Sequence, residues 1–111
     1  MDTGERRRYP RLPIRLPMAH RPADALASPF RHHFTTDVSA GGVHFVLTGK
    51  APSIGSKMEL ELTIPPGEGH FPYAGKIRGT STVLRCGRIP SDQPRWGVAA
   101  RFDEPLALDF K

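Results

Sequence analysis

Four arginines crowd into six residues near the amino end, in the run Glu5-Arg6-Arg7-Arg8-Tyr9-Pro10-Arg11. A guanidinium is a planar fork of donors that stays charged at any ordinary pH. It suits groups with paired acceptors, such as phosphates and the O6/N7 edge of guanine. Further along, Asp37-Val38-Ser39-Ala40-Gly41-Gly42 sets a carboxylate, a hydroxyl and two positions without side chains at a bend. The two acceptor oxygens of an ionised carboxylate can match the adjacent N1–H and N2–H donors on the Watson–Crick edge of guanine. A ligand carrying both guanine and phosphate would satisfy both segments. Each also has a plainer reading. The basic run can be a solvated tail, and Asp37 and Ser39 can cap the turn through their own backbone. The two readings are compatible, since a turn pinned by Ser39 would hold Asp37 in position. Gly41 and Gly42 permit backbone angles closed to other residues and allow a ligand to approach the main chain closely.

These residues need elements to hold them, and the spacing of apolar residues predicts short strands. Leu12, Ile14, Leu16 and Met18 alternate with Arg11, Pro13, Arg15 and Pro17, which predicts a strand over Arg11 to Met18. Pro13 and Pro17 lack a donor, so this strand is expected at an edge or irregular. Arg21 to Pro29 reads as a loop, and Phe30 to Thr36 as a strand leading into the Asp37–Gly42 connection. Val43 to Leu47 and Lys57 to Ile64 follow as strands, the second with Met58, Leu60, Leu62 and Ile64 on one face. Pro65 to Gly75 is a turn-rich connection. A long strand over Lys76 to Arg88 changes face near Val83, which predicts a bulge. Arg95 to Phe102 closes the series. Six short strands without a long helix predict an all-β domain, and closure into a barrel would remove its unpaired edges.

Length and composition narrow the function classes. A chain of 111 residues makes one core without needing disulfides or metals. A single cysteine, Cys86, fits a reducing compartment, with the cytoplasm the expected location. No apolar run approaches the roughly 20 residues of a membrane-spanning helix, and the charged amino end is not that of a secretory signal, so no membrane insertion is expected. The net charge of +5 is concentrated early: residues 1 to 35 carry seven arginines against three acidic residues. An anionic partner bound there is the natural inference. His32 and His33 point to opposite faces of a strand and lack a ligand set. Glu59 and Glu61 fall on the expected solvent face, without the contrasting environments that acid and base roles require. With no nucleophile and base constellation and no phosphate-cradling loop before a helix, an enzyme is not expected.

The pattern Arg-Arg-x-x-x-Arg followed by Asp-x-Ser-x-x-Gly resembles the PilZ domain, the bacterial receptor module for the second messenger cyclic di-GMP. Arg6, Arg7 and Arg11 fall on the first motif, and Asp37, Ser39 and Gly42 on the second. Trp96-Gly97-Val98-Ala99-Ala100-Arg101-Phe102 is similar to the last barrel strand of that family. The resemblance implies a six-stranded antiparallel β-barrel over residues 5–104 with a flexible basic amino-terminal arm over 5–11. It leaves residues 1–4 as a disordered terminus and 105–111 as a short tail, where many members carry a helix. It implies cyclic di-GMP as ligand, commonly taken up as a stacked pair, and a protein effector downstream. On this reading Arg7 and Arg11 lead the contacts, Arg6 supports them, Arg8 is an extra phosphate contact or merely exposed, Asp37 reads the guanine edge, Ser39 bonds the ligand or fixes the turn, and Gly42 leaves room. The rival readings are a PilZ-like protein-interaction module without nucleotide binding and a small basic barrel that binds nucleic acid, although no specific nucleic acid is expected.

Overall fold

A computed structural model describes residues 11–25, 27–69 and 71–105. They form six antiparallel strands: β1 (Pro17–Pro22), β2 (Arg31–Val38), β3 (Gly42–Thr48), β4 (Lys57–Ile64), β5 (Gly75–Ile89) and β6 (Arg95–Phe102). The strands close into a barrel in the order β1-β2-β3-β6-β5-β4. Among the described residues there is no helix, and so none long and apolar enough to cross a membrane. The arginines at 6, 7 and 8, the expected disordered terminus and most of the expected tail lie outside the described residues.

Alternation in β3, β4 and β6 sends one set of side chains inward, and these sets make the core. Phe45, Val98, Leu47, Ile64 and Val83 are almost wholly removed from water, with Leu60, Leu62 and Phe102 beside them. The connection between β4 and β5 also contributes, because Phe71 folds back as a buried core member with Tyr73 packed on it.

The first strand departs from expectation. The ladder runs over Pro17–Pro22 instead of Arg11 to Met18, and it is not an edge, since β1 pairs with both β2 and β4. Arg21 and Pro22, expected in a loop, are its last residues. The physical reason lies in the missing donors at Pro13 and Pro17, which break the regular ladder over the preceding residues. Side-chain chemistry replaces it. The Leu16 amide donates to the hydroxyl of the buried Thr35 at 2.8 Å, and that hydroxyl donates to the Ile14 carbonyl at 2.6 Å. One true bridge remains, where Leu12 and Val38 exchange amide-to-carbonyl bonds of 2.7 and 2.8 Å. The segment is thus extended and irregular, laid along β2.

Two register slips interrupt the barrel. One falls between Thr35 and Asp37 on β2, the other between Val83 and Arg85 on β5. The second is the bulge expected from the change of face near Val83, with Leu84 left 46 % exposed.

Candidate functional site

The register decides which outward-facing residues become neighbours. Asp37 pairs with His44, His44 with Ala99 and Ala99 with Arg85, giving one lateral row across β2, β3, β6 and β5. In the adjoining row Gly42 pairs with Arg101, Arg101 with Thr82 and Thr82 with Lys57. Partners in a row point to the same side of a sheet, and these point outward. All but Thr82 line a groove of about 760 Å³ on the barrel surface, with Arg11, Ser39 and Leu84 also in its wall. Both bulges open onto it.

Four of the six residues singled out in the sequence therefore share one surface: Arg11, Asp37, Ser39 and Gly42. The other two, Arg6 and Arg7, lie outside the described residues. Arg11 is brought there by the Leu12–Val38 bridge, which lays the incoming chain beside the end of β2. Asp37 belongs to β2 itself and Gly42 to β3, so the turn proper is only Ser39 to Gly41. Asp37 accepts no hydrogen bond from a described residue in the bonds that hold the turn. The Ser39 hydroxyl accepts from the Gly41 and Gly42 amides at 3.2 and 3.1 Å, and the Ser39 amide donates to the Gly42 carbonyl at 2.9 Å. Pinning of the turn by Ser39 is thus a feature of the fold itself.

Gly42 has a packing role that the motif alone does not reveal. Its backbone is not in the left-handed region that favours glycine; instead, a Cβ built there would collide with the Ala100 carbonyl oxygen. The missing side chain lets β3 approach β6. The Phe102 amide reinforces the join by donating to the Gly41 carbonyl at 2.8 Å. The turn and the Arg101 end of β6 are therefore one rigid corner.

Sequence reasoning missed several groove residues. Arg101 alternates with buried Ala100 and Phe102, so its outward direction was legible, but not that it would stand next to Gly42. Arg85 was hidden by the bulge. His44 is held by the bulged Thr36, whose hydroxyl lies 2.6 Å from its Nδ1, and its ring lies over Gly97, where a Cβ would come within 3.3 Å of Nε2. Lys57 is already neutralised. Its amine donates to both Asp103 oxygens at 3.0 Å, and the Thr82 hydroxyl donates to the same carboxylate at 3.1 Å. The Lys57 hydrogen bond, with that from Thr82, holds the Asp103 carboxyl below its usual range. Arg11, Arg85 and Arg101 form no ion pair with a described carboxylate, so their charge faces the groove.

Other groups weighed in the sequence have structural partners. Glu59 pairs with Arg21 at 2.6 Å, and Glu61 with Arg78 at 2.8 Å and Lys76 at 3.7 Å. Phe30 is capped by the guanidiniums of Arg21 and Arg78. These carboxylates are thus ion-paired rather than merely solvated. His33 turns inward to meet His20, with 2.9 Å between ring nitrogens and both rings packed on Phe45. Among the described residues no three His, Cys, Asp or Glu side chains gather as a metal site. Phe45 and Phe102 are buried in the core, and Trp96 donates its Nε1–H to the Gly49 carbonyl at 2.8 Å beneath Arg88. A row of free aromatics for stacking bases is therefore missing among the described residues.

The PilZ domain family profile matches residues 5–104 of the sequence. Among solved structures, the Bacillus subtilis inhibitor of motility (MotI/DgrA) superposes with a TM-score of 0.72 at 23 % identity, covering 93 % of this chain. This chain spans 45 % of that protein's length. The PilZ domain with c-di-GMP of YcgR from Escherichia coli superposes with a TM-score of 0.61 at 18 % identity, covering 89 % of this chain and 79 % of the other. At such identities the likeness concerns the fold. No curated protein sequence matches the chain.

Proposed function

The chain belongs to the PilZ domain family, and on that premise we propose that it is a receptor domain for cyclic di-GMP, which converts uptake of the nucleotide into a conformational change read by a protein effector. The observation that carries this reading is the meeting of Arg11, Asp37, Ser39 and Gly42 on one groove. Among the described residues the Asp37 carboxylate has no hydrogen-bond donor and Arg11 no ion-pair partner, so the groove offers an acceptor pair and a donor fork at once. Guanine joined to phosphate needs that combination.

In this reading Asp37 accepts from N1–H and N2–H of one guanine, and Arg11 donates to a phosphate or to a guanine O6/N7 edge. Ser39 keeps Asp37 aimed, and Gly42 leaves the floor low. Arg7 leads the contacts with Arg11, and Arg6 supports them, on the strength of their places in the sequence motif. A stacked pair of nucleotides can use guanidinium planes as further stacking surfaces. The family is one of binding and adaptor domains, which supports a receptor over an enzyme.

The test is calorimetric titration with cyclic di-GMP beside cyclic di-AMP and GTP, recording stoichiometry. Cyclic di-GMP should bind selectively, because adenine does not present the paired donors that Asp37 would accept. Arg7→Ala and Arg11→Ala should each weaken binding by about 10- to 100-fold, the worth of a charge-assisted hydrogen bond. Equal affinity for cyclic di-AMP, or full affinity in both variants, would refute the proposal.

A further inference from the structure

We infer that Arg85 and Arg101 form a second arginine pair on the barrel face that takes the phosphodiester end of the ligand, independently of the amino-terminal arginines. The inference rests on the function proposed above and extends it to residues outside either sequence motif.

The argument starts from the two lateral rows. Asp37 and Arg85 end the same row, separated by His44 and Ala99. Three interstrand steps of about 4.8 Å place their backbones roughly 14 Å apart. Between them the floor is low, since Ala99 has only a methyl group and His44 leans over Gly97. Arg101 projects from the adjoining row, directly across the ladder from Gly42. A base held by Asp37 would thus direct its sugar and phosphate over Ala99 toward Arg101 and Arg85.

Charge accounting selects the same two residues. Of the cations carried by β4, β5 and β6 along this groove, Lys57 is engaged by Asp103. Arg85 and Arg101 are exposed and have no carboxylate partner among the described residues. Leaving two like charges unneutralised on a shared surface is unfavourable by itself, and a bound phosphate would relieve it. The geometry is built in rather than incidental. The β5 bulge at Leu84 turns Arg85 into the groove, and the close approach of Gly42 to Ala100 fixes the strand position of Arg101.

The experiment is calorimetric titration of the full chain with cyclic di-GMP at several salt concentrations, for the unaltered protein, Arg85→Ala, Arg101→Ala, both lysine replacements and Arg88→Ala. Arg88 stacks on Trp96 away from the groove and serves as the control. Each alanine variant should lose about 10-fold or more in affinity and show a shallower dependence on salt, with an unchanged thermal midpoint. The lysine variants should keep the salt dependence yet recover only part of the affinity, because an ammonium lacks the bidentate fork. Arg88→Ala should bind normally. If the unaltered chain binds while Arg85→Ala and Arg101→Ala match it in affinity and salt slope, this inference fails and the receptor assignment stands. If the unaltered chain takes up no cyclic di-GMP, both fail.

Discussion

Gly42, Ser39 and Asp37 sit within six residues yet have separable duties. Gly42 is a packing residue, since any Cβ there meets the Ala100 carbonyl. Gly42→Ala should therefore cost about 1 to 3 kcal/mol of stability, the usual penalty for overpacking, measured as a lowered denaturant midpoint. Asp37 contrasts with it. Because its carboxylate holds none of the bonds that fix the turn, Asp37→Asn should change stability by no more than about 0.5 kcal/mol. The amide would replace one acceptor by a donor, so affinity for cyclic di-GMP should fall at least about 10-fold. A variant that unfolds, or one that binds normally, would contradict this division of labour. Ser39 accepts from two amides, and its hydroxyl serves the fold whether or not it also meets a ligand. The types and spacing of these residues were legible along the chain. That Gly42 is required by a neighbouring strand was not, because β6 lies more than fifty residues further along.

At the scale of elements, the segment ahead of β1 and the two bulges matter most. Thr35 stands in for the donors that Pro13 and Pro17 lack, and so helps to hold Arg11 on the groove. Thr35→Val keeps the shape but strands the Leu16 amide. It should cost about 1 to 3 kcal/mol and weaken nucleotide binding as well; loss of stability with intact affinity would show that Arg11 is positioned by other means. The β1–β2 pair also carries a pH response. Burial, reinforced by His33 and Arg31, lowers the His20 pKa from 6.5 to about 4, and burial with the charges of Arg31 and His32 does the same to His33. Above pH 6.5 both rings are neutral in the folded and unfolded chain. Between pH 6.5 and 4 the unfolded chain binds protons that the folded one refuses, so stability falls as pH falls and levels off below. The thermal midpoint should decline across that window, and His20→Leu should flatten the decline; an identical profile in the variant would remove the histidine pair as its cause.

For the whole molecule, closure is the governing feature. β5 is the long spine, pairing through its first half with β4 and through its second with β6, and β1 completes the ring against β4. The groove draws its wall from five of the six strands, so a ligand seated in it would brace much of the barrel. A ligand that binds only the folded state stabilises it by about 2.7 kcal/mol at a hundredfold excess over Kd. Cyclic di-GMP should therefore raise the thermal midpoint in proportion to the logarithm of its concentration, while cyclic di-AMP at the same concentrations should leave it unmoved.

Local pattern alone was enough for the strand count, the inward sets of β3, β4 and β6, the β5 bulge and the two motifs. Alternation and turn chemistry act between near neighbours in the chain, where a sequence can be read directly. The ladder position of β1, the role of Gly42 and the union of Asp37 with Arg85 and Arg101 were decided only when the barrel closed. Those outcomes depend on interstrand register, and register is a collective compromise among six strands that no single segment encodes.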